Sequence, residues 1–112
     1  MKRISYSEFD QVDMRVGRIL EVRSFPEART PSYLLDIDFG ESLGVRRSAA
    51  ALADDYQAEE LDGRAVIAVV NFPAKQIANH ISEVLVLAAV NSGGGLKLLV
   101  PDEGAELGAR IS

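Results

Sequence analysis

Apolar and polar positions alternate most cleanly at Tyr33-Leu34-Leu35-Asp36-Ile37-Asp38-Phe39. Tyr33, Leu35, Ile37 and Phe39 fall on one face and Asp36 and Asp38 on the other, the period of a half-buried strand. Met14 to Arg23 also reads as a strand, with Met14, Val16, Leu20 and Val22 sharing a face and Arg18 the exception. Gly17 inside it predicts a bulge or a sharp bend. Pro26 and Pro31 make Ser24 to Ser32 a loop. Gly40 to Gly44 turns the chain into a short third strand, Val45 to Ser48. Ala49 to Tyr56 favours helix by propensity, with Ser48 as its candidate cap, and Ala58 to Leu61 adds a further helical turn. The continuous apolar run from Arg64 to Val70 predicts a strand buried on both faces. A polar loop, Asn71 to Ile81, leads into a strand from Glu83 to Val90. Asn91 to Gly95 is a flexible turn, Leu96 to Val100 a last short strand, and Pro101 opens a tail.

Three strands, a helix, two strands and an extension is the order of an all-β, five-stranded OB-fold Greek-key barrel with one short helix. We expect a single domain over residues 1–112 with a C-terminal extension. That fold binds oligonucleotides and oligosaccharides over strands 2 and 3 and the loops joining strands 1–2 and 4–5. Those places hold Phe25, Glu27 and Arg29, then Arg46, Arg47 and Ser48, then Asn71, Lys75, Gln76, Asn79 and His80.

The net charge of −5, from 12 basic and 17 acidic residues, excludes a strongly basic, non-specific nucleic-acid binder. Asp54, Asp55, Glu59, Glu60 and Asp62 concentrate the acids in one solvated helical edge, which leaves room for a local positive face elsewhere. With no cysteine, disulfides, thiolate metal sites and a cysteine nucleophile are excluded, and a reducing cytoplasm is the expected location. No apolar run approaches the roughly 18 residues of a spanning helix, so no membrane insertion is expected. The first residues, Met1 to Glu8, carry bases without an apolar region behind them and do not read as a signal peptide.

Val12-Asp13-Met14-Arg15-Val16-Gly17-Arg18-Ile19 resembles the opening motif of the bacterial tRNA-binding domain, a module found free-standing and fused to some aminoacyl-tRNA synthetases. Asn71-Phe72-Pro73-Ala74-Lys75-Gln76-Ile77-Ala78 and Ser82-Glu83-Val84-Leu85-Val86-Leu87 resemble its closing motif. Phe25 to Tyr33 and Asp36 to Gly40 look most like the branch of export-related chaperones called CsaA. The likeness runs in order through nearly the whole chain. It implies an OB-fold homodimer that binds tRNA. For the CsaA branch it also implies chaperone-like binding of unfolded or signal-bearing peptides, tied to protein export. Carried over by position, Arg46, Arg47 and Ser48 form the basic, hydroxyl-bearing third strand, and Asn71, Lys75, Ser82 and Glu83 the polar edge of the closing motif. Asn79-His80 stands where the family usually has glycine and then an aromatic or aliphatic residue. Asn tolerates a positive φ, so the loop is expected to keep its shape.

The candidate RNA contacts are therefore Arg29, Arg46, Arg47, Ser48, Asn71, Lys75, Ser82 and Glu83. Candidate peptide contacts are Phe25, Phe72 and His80. Arg46 and Arg47 are neighbours on a strand and point to opposite faces, so only one easily meets a given ligand. His80, Ser82 and Glu83 do not make a triad: two residues apart on an extended segment, the base lacks separately placed partners and an oxyanion hole. Gly93-Gly94-Gly95 lacks the Lys and hydroxyl of a phosphate loop. Asp36 and Asp38 could form half of a divalent-metal site, but read better as the wet side of their strand. No catalytic centre, cofactor or metal is expected.

Overall fold

A computed structural model describes residues 1–112. The elements are α1 (Tyr6–Asp10), β1 (Met14–Phe25), β2 (Ser32–Asp38), β3 (Val45–Ala50), α2 (Ala58–Leu61), β4 (Ala65–Val69), β5 (Lys75–Ile77), β6 (His80–Ser82), β7 (Leu85–Val86), β8 (Ala88–Val90) and β9 (Leu96–Leu98). Five strands form one curled antiparallel sheet in the order β3-β2-β1-β4-β7, and β5-β6 and β8-β9 are separate hairpins. This is the OB-type half-barrel that the strand order predicts.

Its core holds Ile19, Leu35, Ile37, Phe39, Leu52, Leu61, Val66, Ala68 and Val84. The inward series of β1 differs from the periodicity. Ile19 is buried and Leu20 is 51% exposed, because Ile19 pairs with Ile37 and Glu21 with Asp36, leaving Leu20 as the bulged residue. The bulge lies three residues after Gly17. Gly17 itself occupies a core position: a Cβ there would sit 2.6 Å from Ile37 Cγ2 and 2.7 Å from Phe39 Cε1. A residue without a side chain carries no hydropathy signal, so the hydropathy pattern places the inward phase one residue off before the bulge and regains it at Val22.

The helix expected from Ala49 to Tyr56 is not formed. Ala49 and Ala50 continue β3, and turns follow to Tyr56. Ser48 is not a cap: opposite Leu35 it points inward and is 1% exposed. Leu52 is buried, and the Tyr33 hydroxyl donates to the Tyr56 carbonyl, so packing overrides alanine's propensity. Only α2 matches a helical expectation. Helix α1 has no counterpart in the hydropathy pattern, although Ser5 and Glu8 form a reciprocal capping box.

The tail lies along the first half of β1 beyond the point where β2 leaves it. Val16 N–H donates to Ala109 O, Gly108 N–H to Val16 O and Ile111 N–H to Met14 O. Asp13 fastens this corner, accepting from Arg15 Nε at 2.6 Å and lying 3.8 Å from Arg110 Nε. The Arg15 hydrogen bond, with both guanidinium charges, holds the Asp13 carboxyl below its ordinary range against the opposing effect of burial. A depressed carboxyl stabilises the fold above the unfolded value of about 4 and loses that contribution as pH falls through the folded value. Amide exchange at Gly108 to Ile111 is therefore expected to quicken as pH is lowered below about 4. Beyond the direct effect of pH on exchange chemistry, an Asp13→Asn variant should show no such step.

Candidate nucleic-acid interface

Register divides the sheet into an inner face and an outer face. Ile19, Val22, Leu35, Ile37 and Ser48 point inward; Glu21, Arg23, Phe25, Leu34, Asp36, Arg47 and Ala49 point outward. The hairpin β5-β6 lies against β3 and covers one end of the outer face. Beneath it Phe25 is 2% exposed, and the His80 ring meets it edge-on at 5.3 Å. Phe25 is therefore packed against the barrel and offers no open surface for a peptide. His80 is half-buried on top of it. The turn of this hairpin takes its positive φ at Ala78 (52°), not at Asn79.

No strand ladder closes the barrel between β3 and β7. Two side chains and the Glu83 backbone amide close it. Arg47 N–H donates to Glu83 Oε1 at 3.0 Å, and Ala49 N–H donates to Ser82 Oγ at 3.0 Å. Glu83 N–H donates back to Arg47 O at 2.7 Å. Ser82 and Glu83 thus satisfy the free edge of β3, which would otherwise present bare amides. Asn71 is also committed: its Oδ1 accepts from Asp13 N–H at 2.9 Å and its Nδ2 donates to Gln11 O at 2.7 Å. It ties the end of β4 to the entry of β1. Asn71→Ala is expected to cost about 1 kcal/mol of stability, measured by urea unfolding.

The cations divide in the same way. Arg46 Nε donates to Leu43 O at 2.9 Å, and Arg47 Nε donates to Asp36 Oδ1 at 3.0 Å. Asp38 Oδ1 accepts from Gly40 N–H, so the strand's two carboxylates are spent on separate partners. Arg29 and Lys75 are exposed and have no acceptor in the chain. Both line one cleft of ≈ 730 Å³ between the β1-β2 loop and the hairpin, together with Thr30, Ser32 and Gln76. A second cleft of ≈ 670 Å³ shares Lys75 and is otherwise largely apolar, with Phe72, Pro73, Ile77 and Leu85. Phe72 is 52% exposed there.

The structure brings Arg29, Lys75 and Phe72 to one rim and leaves them open. Arg47 lies on the other side of the hairpin, in a groove with Asp36, Asn79, His80 and Glu83. Ser48 and Phe25 are internal, and Asn71, Ser82 and Glu83 are structural fasteners. Ser82 and Glu83 are set by closure contacts more than thirty residues apart in sequence, which no local pattern announces; Ser48 turns inward opposite Leu35, its Oγ buried without a partner. Thr30, Ser32 and Gln76 line the cleft without standing among the candidate RNA contacts; of the three, the sequence singles out only Gln76 in a ligand-binding loop.

Comparison with known proteins agrees with this architecture. The family model described as "Putative tRNA binding domain" matches residues 14–110. Two crystal structures of CsaA chaperone proteins are similar over both whole chains. That from Picrophilus torridus is 50% identical, with TM-score 0.92 over 98% of this chain and 100% of the other. That from Bacillus anthracis is 40% identical, with TM-score 0.92 over 99% and 100%. A methionine–tRNA ligase from Thermococcus kodakarensis is 38% identical over 99% of this chain, which spans only 14% of that ligase. With a matching model over most of its length and these relatives, the chain belongs to the tRNA-binding domain family.

Proposed function

We propose that this protein binds structured RNA of the tRNA class without catalysing a reaction on it, at the rim formed by the β1-β2 loop and the β5-β6 hairpin. The observation that carries the reading is the shared cleft with its two uncommitted cations, Arg29 and Lys75. A phosphate seated there would receive both charges, and Thr30, Ser32 and Gln76 supply hydrogen-bonding groups for sugar or base edges. Few free cations and a net charge of −5 imply modest affinity with a shallow salt slope. Filter binding of bulk tRNA over a salt series tests it. Saturable binding that weakens with salt is expected, and no binding at low salt would remove the reading.

A second ligand class is favoured by the apolar cleft of Phe72, Pro73, Ile77 and Leu85. Extended apolar peptide segments fit its chemistry, in line with the similar structures being chaperone proteins. A homodimer is part of the same reading: Val90 is 75%, Leu99 40% and Val100 49% exposed on the β8-β9 hairpin and its exit, apolar surface that a second copy would cover. The cytoplasm is the matching compartment for an RNA ligand.

A further inference from the structure

We propose that Asp36 limits RNA affinity, because it pairs with Arg47 at the centre of a neutral row across the outer face and keeps that guanidinium from serving the RNA, while Arg23 is held chiefly by Glu21. This rests on the RNA reading above. Register sets Glu21 opposite Asp36 and Asp36 opposite Arg47, so three neighbouring strands carry one row of charges. Arg47 Nε lies 3.0 Å from Asp36 Oδ1, and Arg23 Nη2 lies 3.6 Å from Asp36 Oδ2 and 2.8 Å from Glu21 Oε2. Two guanidiniums and two carboxylates cancel on the face where this fold receives nucleic acid.

The row is within a ligand's reach. The side chains of Arg47 and Asp36 are 29% and 22% exposed, and both line a groove of ≈ 450 Å³ that runs beside the hairpin from Val45 to Ile81. Only the Nε of Arg47 is engaged by a side chain; its two terminal nitrogens have no acceptor and remain available to a phosphate. A phosphate reaching them meets the Asp36 carboxylate at the same guanidinium, and like charges repel. The Arg23–Glu21 pair is exposed and contributes little to stability, and the half-buried Arg47–Asp36 pair bears most directly on an incoming anion. The rim cleft, where the cations are unpaired, then takes the phosphate, and the sheet face does not add its charge.

The test is Asp36→Asn, which keeps the shape and the acceptor oxygen and removes the charge. Filter binding with bulk tRNA, run beside the wild type, should show affinity rising about three- to tenfold at low salt. The salt slope should steepen by about one phosphate contact. Glu59→Gln removes the same charge from exposed α2, outside the groove, and should change affinity less than about twofold, as expected of a screened distant charge. Adding Arg47→Ala to Asp36→Asn should abolish the gain. Unchanged or weaker binding by folded Asp36→Asn, while the wild type binds, overturns the proposal and leaves the RNA reading intact. An equal gain in Glu59→Gln, or a gain that survives Arg47→Ala, also overturns it, because the effect would then be overall charge. Loss of wild-type binding removes both. Urea unfolding confirms each fold, and Asp36→Ser replaces the asparagine variant should that one unfold.

Discussion

Replacing Arg29 and Lys75 together by alanine is expected to weaken tRNA binding about a hundredfold and flatten its salt dependence by roughly two phosphate contacts. A hydrogen bond to a charged group is worth about 1.5 kcal/mol or more, close to tenfold for each cation. The two side chains stand on different elements, a loop after β1 and the first residue of β5, yet they line one cleft. Neither has a partner within the chain, so the urea midpoint should not move. Arg46→Ala makes the contrast. Its guanidinium is held by the Leu43 carbonyl and half-buried, so the change should lower stability slightly and leave RNA binding near the wild-type level. If the double variant binds as the wild type does, the ligand lies elsewhere on the molecule.

Gly17→Ala is expected to destabilise the protein by about 1–3 kcal/mol, the usual cost of overpacking a tight core. The added methyl meets Ile37 at 2.6 Å and Phe39 at 2.7 Å, and both are buried, on the neighbouring strand and at its exit. β2 must then move away from β1, which disturbs the sheet that carries the outer face. Urea unfolding measures the cost. Ile37→Val in the same chain should not recover it, because that change removes Cδ1 and leaves the colliding Cγ2 in place. Leu20→Ala, three residues along the same strand but exposed at the bulge, should cost under about 0.5 kcal/mol. Equal costs for Gly17→Ala and Leu20→Ala would mean that Leu20, too, packs into the core and that β1 has no bulge there.

The alternation over Tyr33 to Phe39 and the apolar run over Arg64 to Val70 declare their strands, because burial on one face or both writes itself into residue type. Strand order then suffices for the OB topology. The Asn71–Ile81 segment is legible only as a polar loop. Its hairpin rests on short strands and a positive φ at Ala78, a residue with no local preference for it. The alanine run after Ser48 misleads in the opposite direction: small side chains permit a helix, but in the folded chain they extend β3 and let the barrel close around Leu52.

The candidate site divides along the same line. Arg29 and Lys75 are named by their loops, since an exposed loop cation needs nothing but its position. Ser82, Glu83 and Asn71 are polar residues whose use depends on which backbone groups come within reach. Asp36 is similar, since its two arginines arrive from the strands on either side. Strand order, family membership and the loops that carry free cations are readable in the chain alone, because those follow from local pattern and spacing. Which polar groups are spent inside the protein and which remain for a ligand is set by the folded arrangement. A hydrogen bond between residues tens of positions apart depends on geometry that no single segment contains.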